Sequence, residues 1–256
     1  MLIASGFSWF HTLPGIENDA LFPFAHGHGY VVAGSFFACA LVIGFALLAR
    51  MGLNQAIARQ GLEQFHPDET LSSRNVAEVL IGGIMGFMGD MMDRKYVHAF
   101  LPLTAGLFFY IVTCNLLAIV PGFQPPTDNI NTNFGMAVVV ALTYLGVGLA
   151  LDAKGFIKHM LGPMAALAPL FLFLELLAYL AVRPGSLMLR LTGNIYGDHS
   201  VFNIMSSLVP VVVPSIFLAL AILVSFIQAS VFTLLTTVYI SQSLPHGDHD
   251  DHGDHH

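Results

Sequence analysis

The sequence predicts an all-α polytopic membrane protein, with a single membrane domain over residues 1–243 and a polar tail over 244–256. Three observations carry this. Of 256 residues 55% are hydrophobic and 10% charged, with a mean hydropathy of +0.73; soluble domains carry about 25% charged residues. So few charges cannot cover the surface of a soluble chain of this size. The apolar residues gather into runs near the length of about 20 that a helix needs to cross hydrocarbon. Finally, of the nine Lys and Arg, all but Arg183 and Arg190 fall between those runs. The net charge of −7 owes much to Asp248, Asp250, Asp251 and Asp254 in the tail. There is no basic patch, which argues against a nucleic-acid partner.

In chain order, the segment MLIASGFSWFHTLPG has no basic region before an apolar core, so a cleaved signal peptide is not expected. A first span is predicted over 30–49, ended by Arg50. The polar stretch 54–73, with His66-Pro67-Asp68-Glu69, reads as a loop leading to a helix start at Ser72 or Ser73. Over 74–92, Val76, Leu80, Ile84 and Phe87 recur at helical spacing between polar ends, which predicts an amphipathic interfacial helix. Gly82, Gly83, Gly86 and Gly89 weaken its regularity. A second span follows over 97–120, then the turn-rich PGFQPPTDNINTN, which holds three prolines and no base. A third span over 134–151 runs into a short charged loop, Asp152 to His159. The apolar region 163–208 is longer than one perpendicular crossing requires and is interrupted by Glu175, Arg183, Arg190, Asp198 and His199. It is either two short spans or one long tilted helix. The last region, 211–241, contains no acid and no base. The tail is low in complexity and predicted disordered; its histidines could hold a transition metal weakly or simply solubilise, and no metal site or cofactor is assigned. Cys39 and Cys114 sit in apolar runs without metal-ligand spacing and read as small buried hydrophobes.

Lys and Arg set the expected orientation. Arg50, Arg59, Arg74, Arg94 and Lys95 lie between the first two spans, and Lys154 and Lys158 between the third and fourth. Both groups are expected in the cytoplasm, with the base-free Pro121–Asn133 loop outside. Five crossings then place the N-terminus outside and the tail in the cytoplasm.

Arg183 and Arg190 need a separate account. A charge in the bilayer costs roughly 2.5–3.5 kcal/mol on insertion scales, so an intramembrane arginine is a functional hypothesis by default. Arg183 precedes Pro184 and can snorkel to the cytoplasmic interface, a structural reading. Arg190 lies about 10 Å deeper and stays ionised in any surroundings. It would attract carboxylates and repel free cations. On a continuous helix, Asn194 shares its face. Glu175 lies within a quadrant of that face, about 22 Å toward the cytoplasm, and Asp198 and His199 about 12–14 Å toward the exterior. Titratable groups therefore flank Arg190 in both membrane halves, which suits two separate proton paths. Capping, pairing or hydration is the plainer reading of each. Gln228, with Ser225 nearby, is equally well helix–helix glue or a functional amide.

The stretch Ser186–Gly197, SLMLRLTGNIYG, resembles the hallmark of the F-type ATP synthase subunit a family, SLxLRLFGNxxxG, with Arg190 in register. Asn115–Gly122 resembles its NLLGLIPG, Pro126–Asn131 its PTxxxN, and Gln228–Phe232 its QAxxF. Pro67–Glu78, with Ser73-Arg74-Asn75 and Glu78, is similar to the segment before its amphipathic helix, and Phe7-Ser-Trp9-Phe-His11 is also similar. The resemblance covers nearly all of the chain except the tail. It implies a non-catalytic, ion-translocating stator subunit of a bacterial inner-membrane ATP synthase, in contact with the c-subunit ring and the b-subunit stalk. Regions 163–208 and 211–241 would form two long tilted helices pressed on the ring. By the resemblance, Arg190 is the essential arginine, Asn194 and Gln228 are its polar neighbours, Glu175 belongs to the inner half-channel and His199 to the outer one.

Four features depart from the family pattern. Thr192 stands where Phe is usual. Asp198 precedes His199, where a small residue is common. The final helix has no ionisable partner for His199, so Asp198 is expected to substitute. Glu175 is nine residues before Pro184 instead of eight, which points to a bulge or local shift. The rival expectation is a stand-alone secondary transporter or metal-ion exporter, active by itself in liposomes. An intramembrane enzyme has no supporting motif.

Overall fold

The computed structural model describes residues 29–58, 73–120, 123–161, 168–208 and 212–244, and every regular element among them is helical. These are α1 (Gly29–Ala58), α2 (Ser73–Gly89), α3 (Arg94–Leu117), a 3-10 turn (Pro126–Asp128), α4 (Ile130–Leu161), α5 (Ala168–Leu177), a π turn (Ala178–Val182), α6 (Arg183–Leu208) and α7 (Val212–Ser243). Five stretches are long and apolar enough to cross a membrane: Gly29–Asn54, Arg94–Leu117, Ile130–Leu151, Pro169–Gly197 and Leu218–Ser243. The chain is a polytopic helical membrane protein. The His66–Glu69 loop, the Phe7–His11 segment and the His/Asp tail lie outside the described residues.

The interior is built by α3, α4, α6 and α7, with α1 and α2 packed on its flank. Ile111, Tyr144, Leu187, Leu191, Phe232 and Ile240 are fully buried there. Buried threonines accompany them without needing partners on other helices. Thr104, Thr233, Thr236 and Thr237 each donate to the carbonyl four residues back, at 2.7–3.0 Å. A hydroxyl satisfied within its own helix can be buried cheaply, and small side chains let helices approach closely in lipid. Large hydrophobics on α1, among them Phe36, Ile43 and Leu48, are exposed, as a lipid-facing surface allows. Cys114 is buried but Cys39 is exposed on α1, so the reading as buried hydrophobes holds for one of the two.

Several helices outrun the hydrophobic stretches that announce them. α4 continues through Asp152–His159, where a charged loop is expected from sequence, and α1 continues to Ala58 past the polar boundary at Asn54. The reason is physical: polarity marks where a helix leaves apolar surroundings, whereas the backbone ladder continues as long as no breaker intervenes. The start of α4 also lies earlier than 134. The side-chain oxygen of Asn129 accepts the N–H of Asn131 at 2.9 Å, and its carbonyl accepts from Thr132 and Asn133. An Asn in this position satisfies donors that the first helical turn leaves open.

Region 168–208 follows one helical path with a π turn in it and holds a single crossing stretch, Pro169–Gly197, so two separate short spans are not formed. In the π turn the N–H of Arg183 bonds the carbonyl of Ala178, five residues back. The next carbonyl in that frame, Tyr179, would need the N–H of residue 184, and Pro184 has none. The hydroxyl of Tyr144 on α4 donates to it instead. The surplus residue between Glu175 and Pro184 is accommodated here.

Candidate functional site

Two faces of α6 decide the site. Pro184, Leu187, Leu191 and Ile195 form a buried stripe at spacings of three and four, which fixes the helix against its neighbours. The opposite side is uncovered: Leu189 is 63% and Tyr196 65% exposed, and Arg190, Gly193 and Asn194 are exposed with them. Among the described residues the acid–base ion pair joins Arg74 to Glu78 at 2.7 Å, and Arg190 takes part in none. Arg190 thus presents its cation outward from the midst of an apolar crossing stretch.

One turn on, the amide of Asn194 donates to the side-chain oxygen of Gln228 on α7. Gln228 is buried, and its Nε2 has no hydrogen-bond partner among the described residues. Nearby Ser225 donates to Ala221 in its own helix at 2.7 Å. Gln228 is therefore glue between α6 and α7, and the glue sits beside the arginine.

On its inner side the same turn of α6 meets α4. Asn133 is fully buried. Its Nδ2 donates both to the carbonyl of Thr127 and to the hydroxyl of Thr192, each at 2.8 Å. From sequence Thr192 is only a departure from the pattern, and Asn133, beside a Pro-rich turn, reads as loop polarity. The cap at Asn129 was the available signal that Asn133 belongs to a helix.

Arg183 does not need to snorkel. Its guanidinium lies 3.8 Å from the ring centroid of Tyr179, 5.2 Å from Tyr239 and 5.8 Å from Tyr144. Three ring faces stabilise the cation electrostatically, at the junction of α4, the π turn and α7. The hydroxyls of Tyr239 and Ser186 lie 3.4 Å apart at its rim. The structural reading of Arg183 stands, with aromatic packing in place of the interface.

Glu175 is half-buried on α5, on the far side of the π turn from Arg190. The expectation of an unbroken helix between them fails. The π turn shifts the phase by roughly one residue, about 100°, which moves Glu175 from about 60° on one side of Arg190 to about 40° on the other. It stays within 90° of Arg190, on the opposite side. Asp198 and His199 lie on the helical backbone of α6, while their side chains lie outside the described residues. The structure thus brings Asn194 and Gln228 together beside Arg190, and leaves Glu175 a π turn away.

The family model for the ATP synthase A chain matches residues 32–241, which include all of these positions. The chain belongs to the ATP synthase A chain family. A protein named ATP synthase subunit a from Bdellovibrio bacteriovorus is 34% identical over 244 residues, 95% of this chain and 99% of its own length. Those from Geotalea daltonii and Citrifermentans bemidjiense are 37% and 45% identical, over 87% and 68% of this chain and 91% and 75% of their own lengths. As an ATP synthase A chain, this protein is a membrane component of that complex.

Proposed function

We propose that this A chain is the non-catalytic, ion-translocating stator subunit of an F-type ATP synthase, with α5–α6 and α7 facing a ring of c subunits. The observation that carries the reading is Arg190, exposed on the uncovered face of an apolar helix. Left against lipid, that cation would cost about 2.5–3.5 kcal/mol or more. A partner presenting carboxylates would remove the cost and turn it into attraction. Because a guanidinium does not release its proton, Arg190 can engage a passing carboxylate without becoming a proton path itself. It therefore separates two half-channels. Ions enter through the outer one by way of His199 and Asp198, neutralise a ring carboxylate, and leave by the inner one past Glu175. Asn194 and Gln228 hold α6 and α7 in register and offer amide groups to the carboxylate.

The b-subunit stalk is the second partner, and the setting is the bacterial inner membrane. The N-terminus and the Pro121–Asn133 segment face outward and the C-terminus faces the cytoplasm, as the distribution of Lys and Arg supports.

The experiment is Arg190→Ala in the assembled enzyme. In inverted membrane vesicles, ATP-driven proton pumping is expected to fall to background while the amount of assembled complex is unchanged. Pumping at the wild-type rate would overturn the reading. The chain alone in liposomes is expected to transport nothing; transport there would restore the stand-alone transporter.

A further inference from the structure

The turn of α6 that carries Arg190 is tied on two sides. Asn194 ties it to Gln228 of α7. Thr192, midway between Arg190 and Asn194, ties it to Asn133 of α4 at 2.8 Å. At 100° per residue the two ties leave the helix about 160° apart, so together they resist both rotation and sliding, and Arg190 stands exposed about 40° from Asn194.

We propose that Asn133 is a positioning residue for Arg190, acting through the hydroxyl of Thr192. The inference rests on the stator reading above. Three features make Asn133 suited to this. First, its amide has only one workable orientation. The carbonyl of Thr127 can only accept, so the bond to it at 2.8 Å puts Nδ2, and not Oδ1, on the side of Thr192. Second, the segment beneath it is fixed. Asn129 caps the start of α4 through Asn131, Thr132 and Asn133, and Gln124 donates to Asp128 at 3.0 Å across the 3-10 turn. Third, Thr192 is this chain's substitute for the usual phenylalanine of the SLxLRLFGN pattern, and a phenyl ring has no acceptor for an amide.

The test uses the assembled ATP synthase in inverted vesicles, with ATP-driven proton pumping and ATP hydrolysis both expressed per assembled complex. Thr192→Val removes the acceptor with little change of shape. It is expected to lower pumping per ATP hydrolysed about 3- to 10-fold, the range that one inter-helical hydrogen bond in a membrane supports. Thr192→Ser, which keeps the hydroxyl, is expected to restore most of it. Asn133→Leu should be impaired at least as much as Thr192→Val, since it also loses the bond to the Thr127 carbonyl, and the double variant should be no worse than Asn133→Leu, because the Asn133–Thr192 bond is common to both. If Asn133→Leu does not assemble, the valine and serine variants carry the test. Three results would overturn the proposal: wild-type coupling in Thr192→Val, a loss of assembled complex with coupling per complex unchanged, or Thr192→Ser as impaired as Thr192→Val. Arg190→Ala is run alongside. If it still pumps, the stator reading fails; if it does not and Thr192→Val does so normally, only the role of Asn133 fails.

Discussion

At Arg190 the decisive property is permanence of charge. A lysine can lose its proton when desolvated, but a guanidinium does not. Arg190 is exposed on α6 and makes no ion pair among the described residues, which is why the Arg190→Ala test is made in the assembled complex. The outer relay supplies a second residue-scale prediction. α7 carries no acid or base in its apolar stretch to serve His199, and Asp198 is the nearest carboxylate in the chain. Asp198→Ala is expected to reduce proton-driven ATP synthesis about tenfold or more, within the range associated with losing a proton-transfer group. Synthesis at the wild-type rate in Asp198→Ala vesicles would reject Asp198 as the substitute. Arg183 teaches the converse lesson. It also lies in an apolar crossing stretch, yet three tyrosine rings surround its guanidinium, so the same residue type is held inward by packing.

Among the elements, the π turn links the local sequence to the site. A surplus residue before Pro184 and a missing N–H at Pro184 together leave the carbonyl of Tyr179 in need of a donor, and Tyr144 on α4 supplies it. Tyr144→Phe keeps the ring and removes the donor. It is expected to destabilise the protein by about 1–3 kcal/mol, the cost of an orphaned buried acceptor. Thermal unfolding of the detergent-solubilised complex measures this as a lowered midpoint, and an unchanged midpoint would show that the carbonyl finds another partner. The neighbourhood has little slack. Tyr144 also faces Tyr179 and Tyr239 with ring centroids 5.6 and 6.0 Å apart, and Phe156 meets Tyr179 edge-on at 5.5 Å. The same turn sets the phase of Glu175 against Arg190, so a change in its hydrogen bonding would be felt along the proposed inner path.

For the whole molecule, the distribution of charge predicts the arrangement across the membrane. A single cysteine at Gln124 or Asp128, in an otherwise cysteine-free chain, is expected to react with a membrane-impermeant maleimide from outside intact cells. One at Arg94, in the base-rich group, is expected to react only in inverted vesicles. Labelling from the opposite sides would reverse the proposed orientation. The face formed by Leu189, Arg190, Asn194 and Tyr196 on α6, together with exposed Leu223 and Ile227 on α7, remains uncovered in the isolated chain. This mixed apolar and cationic surface is where the proposed ring would lie.

By itself the sequence determined the membrane class, the five apolar crossings, and Arg190 with Asn194 in one motif. Each of these is a local property: hydropathy along a run, or neighbours within one helical turn. Only the tertiary structure decided that α4 runs through its charged stretch and that a π turn absorbs the surplus residue before Pro184. It alone placed Arg183 among tyrosines and bonded Thr192 to Asn133. Those outcomes depend on which helices lie side by side. Tyr144 and Tyr179 are 35 positions apart, and Asn133 and Thr192 are 59 apart. Hydrogen bonds and ring contacts over such separations form only when packing brings the helices together, and no periodicity within a single segment encodes them.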